Sequence, residues 1–512
     1  MASGDLGHQH TRDHSGTAAF SAFSTSLLDL LSNTLVLYQT IPYLPISAIL
    51  NVAATSRSFR HLLHSTPGVF RHLDLTQVTA AQFDIDGIDH GGEVWRNVQV
   101  DENLTEDDFY SGPLRGIFSS LKRRNILQHV STLVLDGLSV TSEFLNDILV
   151  DPSSRIRILS IREVKNLNER KLMQTLRYAC RPSRPDDMPR LKALYYFGKR
   201  DAAPLLATPP AAQATPARPY RGANISAGWN HKSQHALKES IEEEGEDWYS
   251  RKGRIISKRI ADGWAETLLD CREMLHFDTV LCTGPRHQNS PAFGKVHITP
   301  VTANGGSPWG VATFAVGGCA SCGSAPEGFT TYGESRQEDL PLLSPVPLHS
   351  SSVKSACRPG PVASDANHRH EFVPRCLECI RERYCFSCNQ WWCESCYEVP
   401  SREQLAQNVW IVDEANALLY HEITALEQQK VKTPKITRSC WECEHNVSLL
   451  PFDPLRGCAV LIHTQCLDCI AETQKHCQRC GGGYCIIHHE GSTLRLCDWC
   501  SQRGGRRCVE LY

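Results

Sequence analysis

Sixteen of the chain's 23 cysteines fall into eight Cys-x2-Cys pairs, and all eight lie between Cys319 and Cys500. The pairs are Cys319/Cys322, Cys376/Cys379, Cys385/Cys388, Cys393/Cys396, Cys440/Cys443, Cys466/Cys469, Cys477/Cys480 and Cys497/Cys500. Cys485 and His488 add a mixed pair at the same spacing. Two thiolates so spaced grip one side of a tetrahedral metal ion from a tight turn, and a second pair completes the site. A metal-built half therefore follows a half with almost no cysteine.

The alternative use of so many cysteines is disulfide bonding, which needs an oxidising compartment. The leading residues MASGDLGHQHTRDHSG are polar and lack a basic-then-apolar export pattern. No run of about 18 apolar residues suggests a membrane span. An intracellular protein of the cytoplasm or nucleus is expected, with thiols that bind zinc. A formal net charge of −3 gives no electrostatic footprint for nucleic acid.

Neighbouring pairs suggest how the metals close. Cys385/Cys388 and Cys393/Cys396 are separated by only four residues, too few for both turns to converge on one ion, so interleaved sites are expected. In the last cluster one zinc would take Cys466, Cys469, Cys485 and His488, and another Cys477, Cys480, Cys497 and Cys500. Upstream there are two solutions. Cys319/Cys322 can join Cys385/Cys388 while Cys376/Cys379 joins Cys393/Cys396, leaving Cys440/Cys443 to close with Cys458 and His463. Otherwise Cys440/Cys443 takes Cys385/Cys388 and strands Cys319/Cys322. The first strands nothing and implies five ions, the second four. Each site has four protein ligands and no open position, so the zincs read as structural and no catalytic residue is assigned. Cys271 and Cys282, in the apolar stretch WAETLLDCREMLHFDTVLC, read as core thiols.

The fold class expected is α+β and multidomain. Residues 1–26 are small and polar and read as disordered, and 27–68 carry three short helices. Residues 69–198 hold an irregular apolar template, Φ-x2-Φ-x-Φ-x2-Φ, at Phe70/Leu73/Leu75/Val78, Val130/Leu133/Leu135/Leu138 and Ile156/Leu159/Ile161/Val164, with a partial copy at Leu191/Leu194/Tyr196. Two copies start 26 residues apart, in the leucine-rich-repeat range. Each unit would be a short strand plus a helix. An Ala/Pro-rich linker spans 199–228 and a helical segment 229–282. A largely irregular stretch, 283–372, carries the first cysteine pair. One zinc module with an inserted helix at 404–429 covers 373–445, and a second covers 446–512.

The segment LPISAILNVAATSRSFRHLL, preceded by LSNTLVLYQTIPY, resembles the F-box. It departs from that motif at Ser32, Thr34 and Ala48. The resemblance implies three helices that dock the Skp adaptor of a cullin ubiquitin ligase, with Leu31, Leu35, Ile41, Leu44, Pro45, Ile49 and Leu50 facing or supporting the adaptor. An F-box followed by leucine-rich repeats is an architecture of substrate receptors, so the expected partners are adaptor, cullin complex and an unidentified target. The stretch KHCQRCGGGYCIIHH…LRLCDWC resembles treble-clef modules of the RING, FYVE and in-between-RING kinds. That implies a second possibility, a RING-like ligase acting directly through the zinc region. A third is a zinc scaffold with no link to ubiquitin.

Overall fold

The structure is a computed structural model describing residues 26–82, 106–185, 188–201, 248, 252–296, 307–343, 345–359, 370–380, 383–396, 466, 468–469, 472, 474–479, 481, 483–486 and 492–502. The expected linker beyond residue 201, the helix at 404–429, and Cys440, Cys443, Cys458, His463, Cys480 and His488 lie outside these residues. The fold is α+β and divides into two compact units, Met1–Val69 and Phe70–Tyr512. No helix among the described residues is long and apolar enough to cross a membrane.

The first unit is helical: α1 (Leu27–Ser32), α2 (Thr34–Thr40), α3 (Ile46–Thr55) and α4 (Arg57–Ser65). Ser26 and Asp29 cap each other's backbone at the start of α1. Pro45 opens α3, where its missing N–H costs nothing. The Ser56 hydroxyl accepts from the Phe59 N–H at 3.1 Å and starts α4. Leu31, Leu37, Ile41, Ile49, Ala53 and Leu63 are buried between the helices. Full burial of a leucine such as Leu37 or Leu63 stabilises by about 1.5–3 kcal/mol.

The second unit is built on a parallel sheet. Its chain runs through β1 (His72–Asp74), β2 (Thr132–Val134), β3 (Ile158–Ser160), β4 (Ala193–Tyr195), β5 (Gly253–Arg254) and β6 (His276–Phe277). All but β5 lie side by side in chain order. The four copies of the apolar template supply β1 to β4, and the register stacks their second apolar residue: Leu73, Leu133, Leu159 and Leu194 run across the sheet and end at Phe277. All five are buried. The helices α5 (Glu106–Arg123), α6 (Ser142–Val150), α7 (Glu169–Ala179) and α8 (Trp264–Cys271) pack on one another in the same sequence. Thr141 and Asn168 cap α6 and α7 through their side-chain oxygens. Strand β6 lies in a stretch read as helical; its template, Met274-x2-Phe277-x-Thr279, has a hydroxyl at the third apolar place.

The opposite face of the sheet carries Thr132, Ile158, Ser160, Ala193 and Tyr195, all buried. A strap from residues 340 to 357 covers it. The Leu342 N–H donates to the Phe277 carbonyl at 2.8 Å. The Val346 N–H donates to Asp201 at 3.0 Å, and the hydroxyls of Ser351 and Thr132 meet at 2.8 Å. Leu340, Leu342, Leu343, Val346, Ala356 and Cys357 are buried along it. Beside the strap, the guanidinium of Arg162, 1% exposed, lies 2.7 Å from both Asp136 and Asp201.

A second, antiparallel sheet has the order β5–β7–β9–β8, with β7 (Phe314–Val316), β8 (Thr330–Thr331) and β9 (Glu371–Arg375). Strands β10 (Gln474–His476) and β11 (Gly483–Cys485) make a separate antiparallel pair.

Candidate metal centres

Strands β7 and β9 decide where the first two clusters form. Phe314 pairs with Arg375, and Val316 with Val373, so Cys376 emerges at one end of this pair and Cys319 beyond the other. At the first end the Cys282 N–H donates to the Gly310 carbonyl at 2.7 Å, bringing the turn after β6 alongside Cys376. Cys282, His287, Cys376 and Cys379 converge there. At the second end the Ala320 N–H donates to the Trp391 carbonyl at 2.8 Å, and Cys319, Cys322, Cys393 and Cys396 converge. A third group joins Cys385 and Cys388 to Cys466 and Cys469, and a fourth contains Cys477, Cys497 and Cys500. Within each group the candidate ligand atoms lie within 4.8 Å of one another.

The spacing of the sulfurs tests whether a metal fits. Metal–sulfur bonds of about 2.3 Å in a tetrahedron put two sulfurs about 3.8 Å apart. The separation is 3.8 Å for Cys282 and Cys379, for Cys322 and Cys393, and for Cys388 and Cys466. A disulfide would bring them to about 2.0 Å, so these are metal-site distances between free thiols. His287 Nε2 stands 3.2 Å from Cys376 Sγ. The sulfurs also accept from backbone amides, which offsets thiolate charge. Cys376 N–H donates to Cys282 Sγ at 3.1 Å, Cys393 N–H to Cys319 Sγ at 3.1 Å, and Cys466 N–H to Cys385 Sγ at 3.2 Å. Burial opposes the Cys282 thiolate, yet hydrogen bonds from Cys376 and Cys379 and the charge of Arg375 hold its ionisation well below the usual thiol range. The Ser324 hydroxyl pulls Cys322 down to about 6.

Three of the pairs share one backbone device. Gly323, Asn389 and Gly481 each lie four residues after the first cysteine of a pair. Each donates its N–H to that cysteine's carbonyl, at 2.8, 2.9 and 2.9 Å. All three have left-handed φ, at +72°, +57° and +71°, a conformation that Gly and Asn tolerate best. The pairs Cys376/Cys379 and Cys497/Cys500 lie instead in or beside short helices, Leu377–Ile380 and Asp498–Gln502. Close packing finishes the first centre. A Cβ on Gly284 would lie 2.6 Å from Cys379 Sγ, and one on Gly310 would lie 2.9 Å from His287 Cε1.

Several sequence expectations are redistributed. The sites do interleave, and Cys385/Cys388 and Cys393/Cys396 do face different centres. Cys319/Cys322, however, meets Cys393/Cys396 and not Cys385/Cys388, because the Ala320–Trp391 hydrogen bond lays the two turns together. Cys376/Cys379 meets Cys282 and His287, so Cys282 is a candidate ligand and not a core thiol. The Cys-x4-His spacing and the apolar residues before it disguised that pair. Cys466/Cys469 closes with Cys385/Cys388 and not with Cys485. Cys271 does sit in the core, its ionisation pushed up by the thiol of Cys180 and by burial.

Among the residues expected to face or support an adaptor, Leu31, Ile41 and Ile49 are buried and Leu44 is half-buried. Leu35, Pro45 and Leu50 are exposed. The sequence reading missed Leu27, Leu30, Val36, Tyr38 and Tyr43, which extend the exposed apolar surface.

No protein-family model, no curated protein and no solved structure matches this chain.

Proposed function

We propose that the chain is a substrate receptor of a cullin-type ubiquitin ligase, docking a Skp-type adaptor through its first helical unit. The observation that carries this reading is the apolar surface that the unit leaves in water: Leu35 is 75% exposed, Tyr43 67% and Leu27 58%. So many large apolar side chains on so small a unit mark a protein-binding face. With the F-box resemblance of residues 31–63, the partner is an adaptor whose groove accepts short amphipathic helices. The in-register leucines of β1 to β4 and the helices stacked between them support a leucine-rich-repeat reading of the segment that follows. Catalysis would reside in partner subunits, and this chain would supply proximity between a target and the ligase.

The four Cys/His groups are proposed to hold zinc. Sulfur-rich donor sets, one of them with a single imidazole, suit that ion. Cys282, His287, Cys376 and Cys379 hold one; Cys319, Cys322, Cys393 and Cys396 a second; Cys385, Cys388, Cys466 and Cys469 a third; Cys477, Cys497 and Cys500 contribute to a fourth. The ions of the second and third groups would pin turns that pack around buried Phe314, Tyr384, Trp391 and Trp392.

The test is capture of purified Skp-type adaptor by the full chain. The double variant Leu35→Asp, Leu50→Asp changes only exposed residues, so it should melt as the parent does and lose capture. Absence of capture by the parent, or undiminished capture by the variant, would sink the reading. One observation favours a second reading. In chain order the ligand pairs close first with third, second with fifth and fourth with sixth, an interleaving looser than the strict cross-brace of a RING-like module but sharing its use of non-adjacent pairs. Ubiquitin transfer by the full chain with E1 and E2 but no cullin would favour a direct ligase.

A further inference from the structure

Between the first two metal centres lies a closed network of charge. Arg375, immediately before Cys376, has a side chain with 0% exposure. Its Nη1 donates to Glu394 Oε1 at 2.8 Å, and Glu394 immediately follows Cys393. Its other side faces Glu327, with Nε 2.7 Å from Oε1 and Nη2 donating to Oε2 at 2.9 Å. Arg383 closes the network, donating from Nη2 to Glu394 Oε1 and to the carbonyl of Cys379, both at 3.1 Å. The guanidinium of Arg375 also lies 4.5 Å from the ring of Trp391, whose carbonyl anchors the turn of Cys319.

Two arginines and two glutamates cancel, so the network is tolerated without water as long as all four side chains keep their places. Keeping Arg375 in place holds the backbone entering Cys376. Keeping Glu394 in place holds the turn from Cys393 to Cys396. An ion that orders one centre therefore orders one end of a contact whose other end belongs to the second centre, and such coupling is reciprocal.

We infer that the centres Cys282/His287/Cys376/Cys379 and Cys319/Cys322/Cys393/Cys396 load and release their metals as a coupled pair, with the buried Arg375–Glu394 contact as the coupling element. This rests on the metal reading of the two clusters. Arg375 and Glu394 are positioning residues: neither is a ligand, and each acts on a centre through the backbone beside it.

The test uses the full zinc-loaded chain, a competing chelator, and thiol alkylation mapped by peptide mass spectrometry, since a metal-bound thiolate resists alkylation. In the parent protein the two sets of cysteines should become reactive together at one rate. Removing the second centre with Cys322→Ser and Cys396→Ser should expose Cys282, Cys376 and Cys379 about tenfold faster, within the usual range for coupled sites. In a Glu394→Gln background, which keeps size and an acceptor oxygen, the same removal should add nothing. Cys477, Cys497 and Cys500 should become reactive at the parent's rate in every variant and report that the substitutions act locally. Separate rates in the parent overturn the coupling, and this measurement stands even if the double serine variant does not fold. An equal effect in both backgrounds overturns the role of the Arg375–Glu394 contact. Immediate alkylation of both sets without chelator overturns the metal reading itself.

Discussion

Cys282 and Cys379 are 97 residues apart in the chain, and their sulfurs stand 3.8 Å apart in space. Cys282 follows the last strand of the parallel sheet, and Cys379 belongs to the cysteine-rich half. A metal held between them would fasten one half of the second unit to the other.

The first expectation concerns stoichiometry. Native mass spectrometry of the full chain should find at least four zinc ions, one for each Cys/His group. A fifth would have Cys440, Cys443, Cys458, His463, Cys485 and His488 as its candidate ligands. Fewer than four, or another metal in molar amount, would contradict the assignment. Chelation should also collapse the tertiary signal of Trp391 and Trp392, which are buried among the ligands of the second and third groups.

Glycine substitutions separate the first centre from the others. Gly284→Ala and Gly310→Ala each place a methyl at 2.6–2.9 Å from a ligand side chain. Each should cost the metal of the first centre and loosen that of the second, its coupled neighbour, read by native mass spectrometry, while the remaining ions stay bound. Gly317→Ala, with nothing within 4 Å of the new Cβ, should lose none.

The Arg162 cluster should dominate the electrostatic stability of the parallel sheet. Arg162→Met leaves Asp136 buried without its cation and should destabilise the second unit by about 3–5 kcal/mol in urea unfolding. Arg115→Met removes a pair with Asp147 in which both side chains are partly exposed, and should cost no more than about 1 kcal/mol. Equal effects would show that burial does not set the cost.

Acidification should weaken the same sheet through its two edges. His72 and His276 occupy the same register position on its first and last strands. Burial lowers the ionisation of both below the ordinary histidine value. The unfolded chain then binds more protons, so their contribution is present above about pH 6.5 and is lost as pH falls from there through the folded-state values. Replacing both by asparagine should flatten the fall in stability between pH 7 and 5 relative to the parent. An unchanged slope would assign it to other groups.

Much of this architecture was legible because it rests on local patterns. Leucine spacing announced β1 to β4, since strands that share a register must repeat the same apolar position. Cys-x2-Cys spacing announced the metal turns, since a single turn builds each half-site. Pairing between half-sites was not legible, because it depends on which turns β7 and β9 bring together. Trp391 and Gly310, the residues that decide it, carry no metal chemistry of their own. Cys282 and His287 escaped for a related reason: an apolar stretch ending in cysteine reads as core until the partner across the fold is known. The apolar pattern of residues 31–63 was legible, but its division into buried Ile49 and exposed Leu35 needed the helices in place.

The strap over the parallel sheet has a kinetic side. Ser351 meets Thr132 across 219 residues of sequence, so the four leading strands can be made long before their cover exists. Roughly 150 residues separate the end of β4 from Ser351, which is about 8–30 s of synthesis at about 5–20 residues per second. Through that interval Ile158, Ala193 and Tyr195 face water or a chaperone. Ribosome-bound chains halted near residue 300 should therefore bind a hydrophobic dye, and chains halted well past residue 360 should not. Equal binding at the two lengths would show that the sheet forms only after its cover has been made.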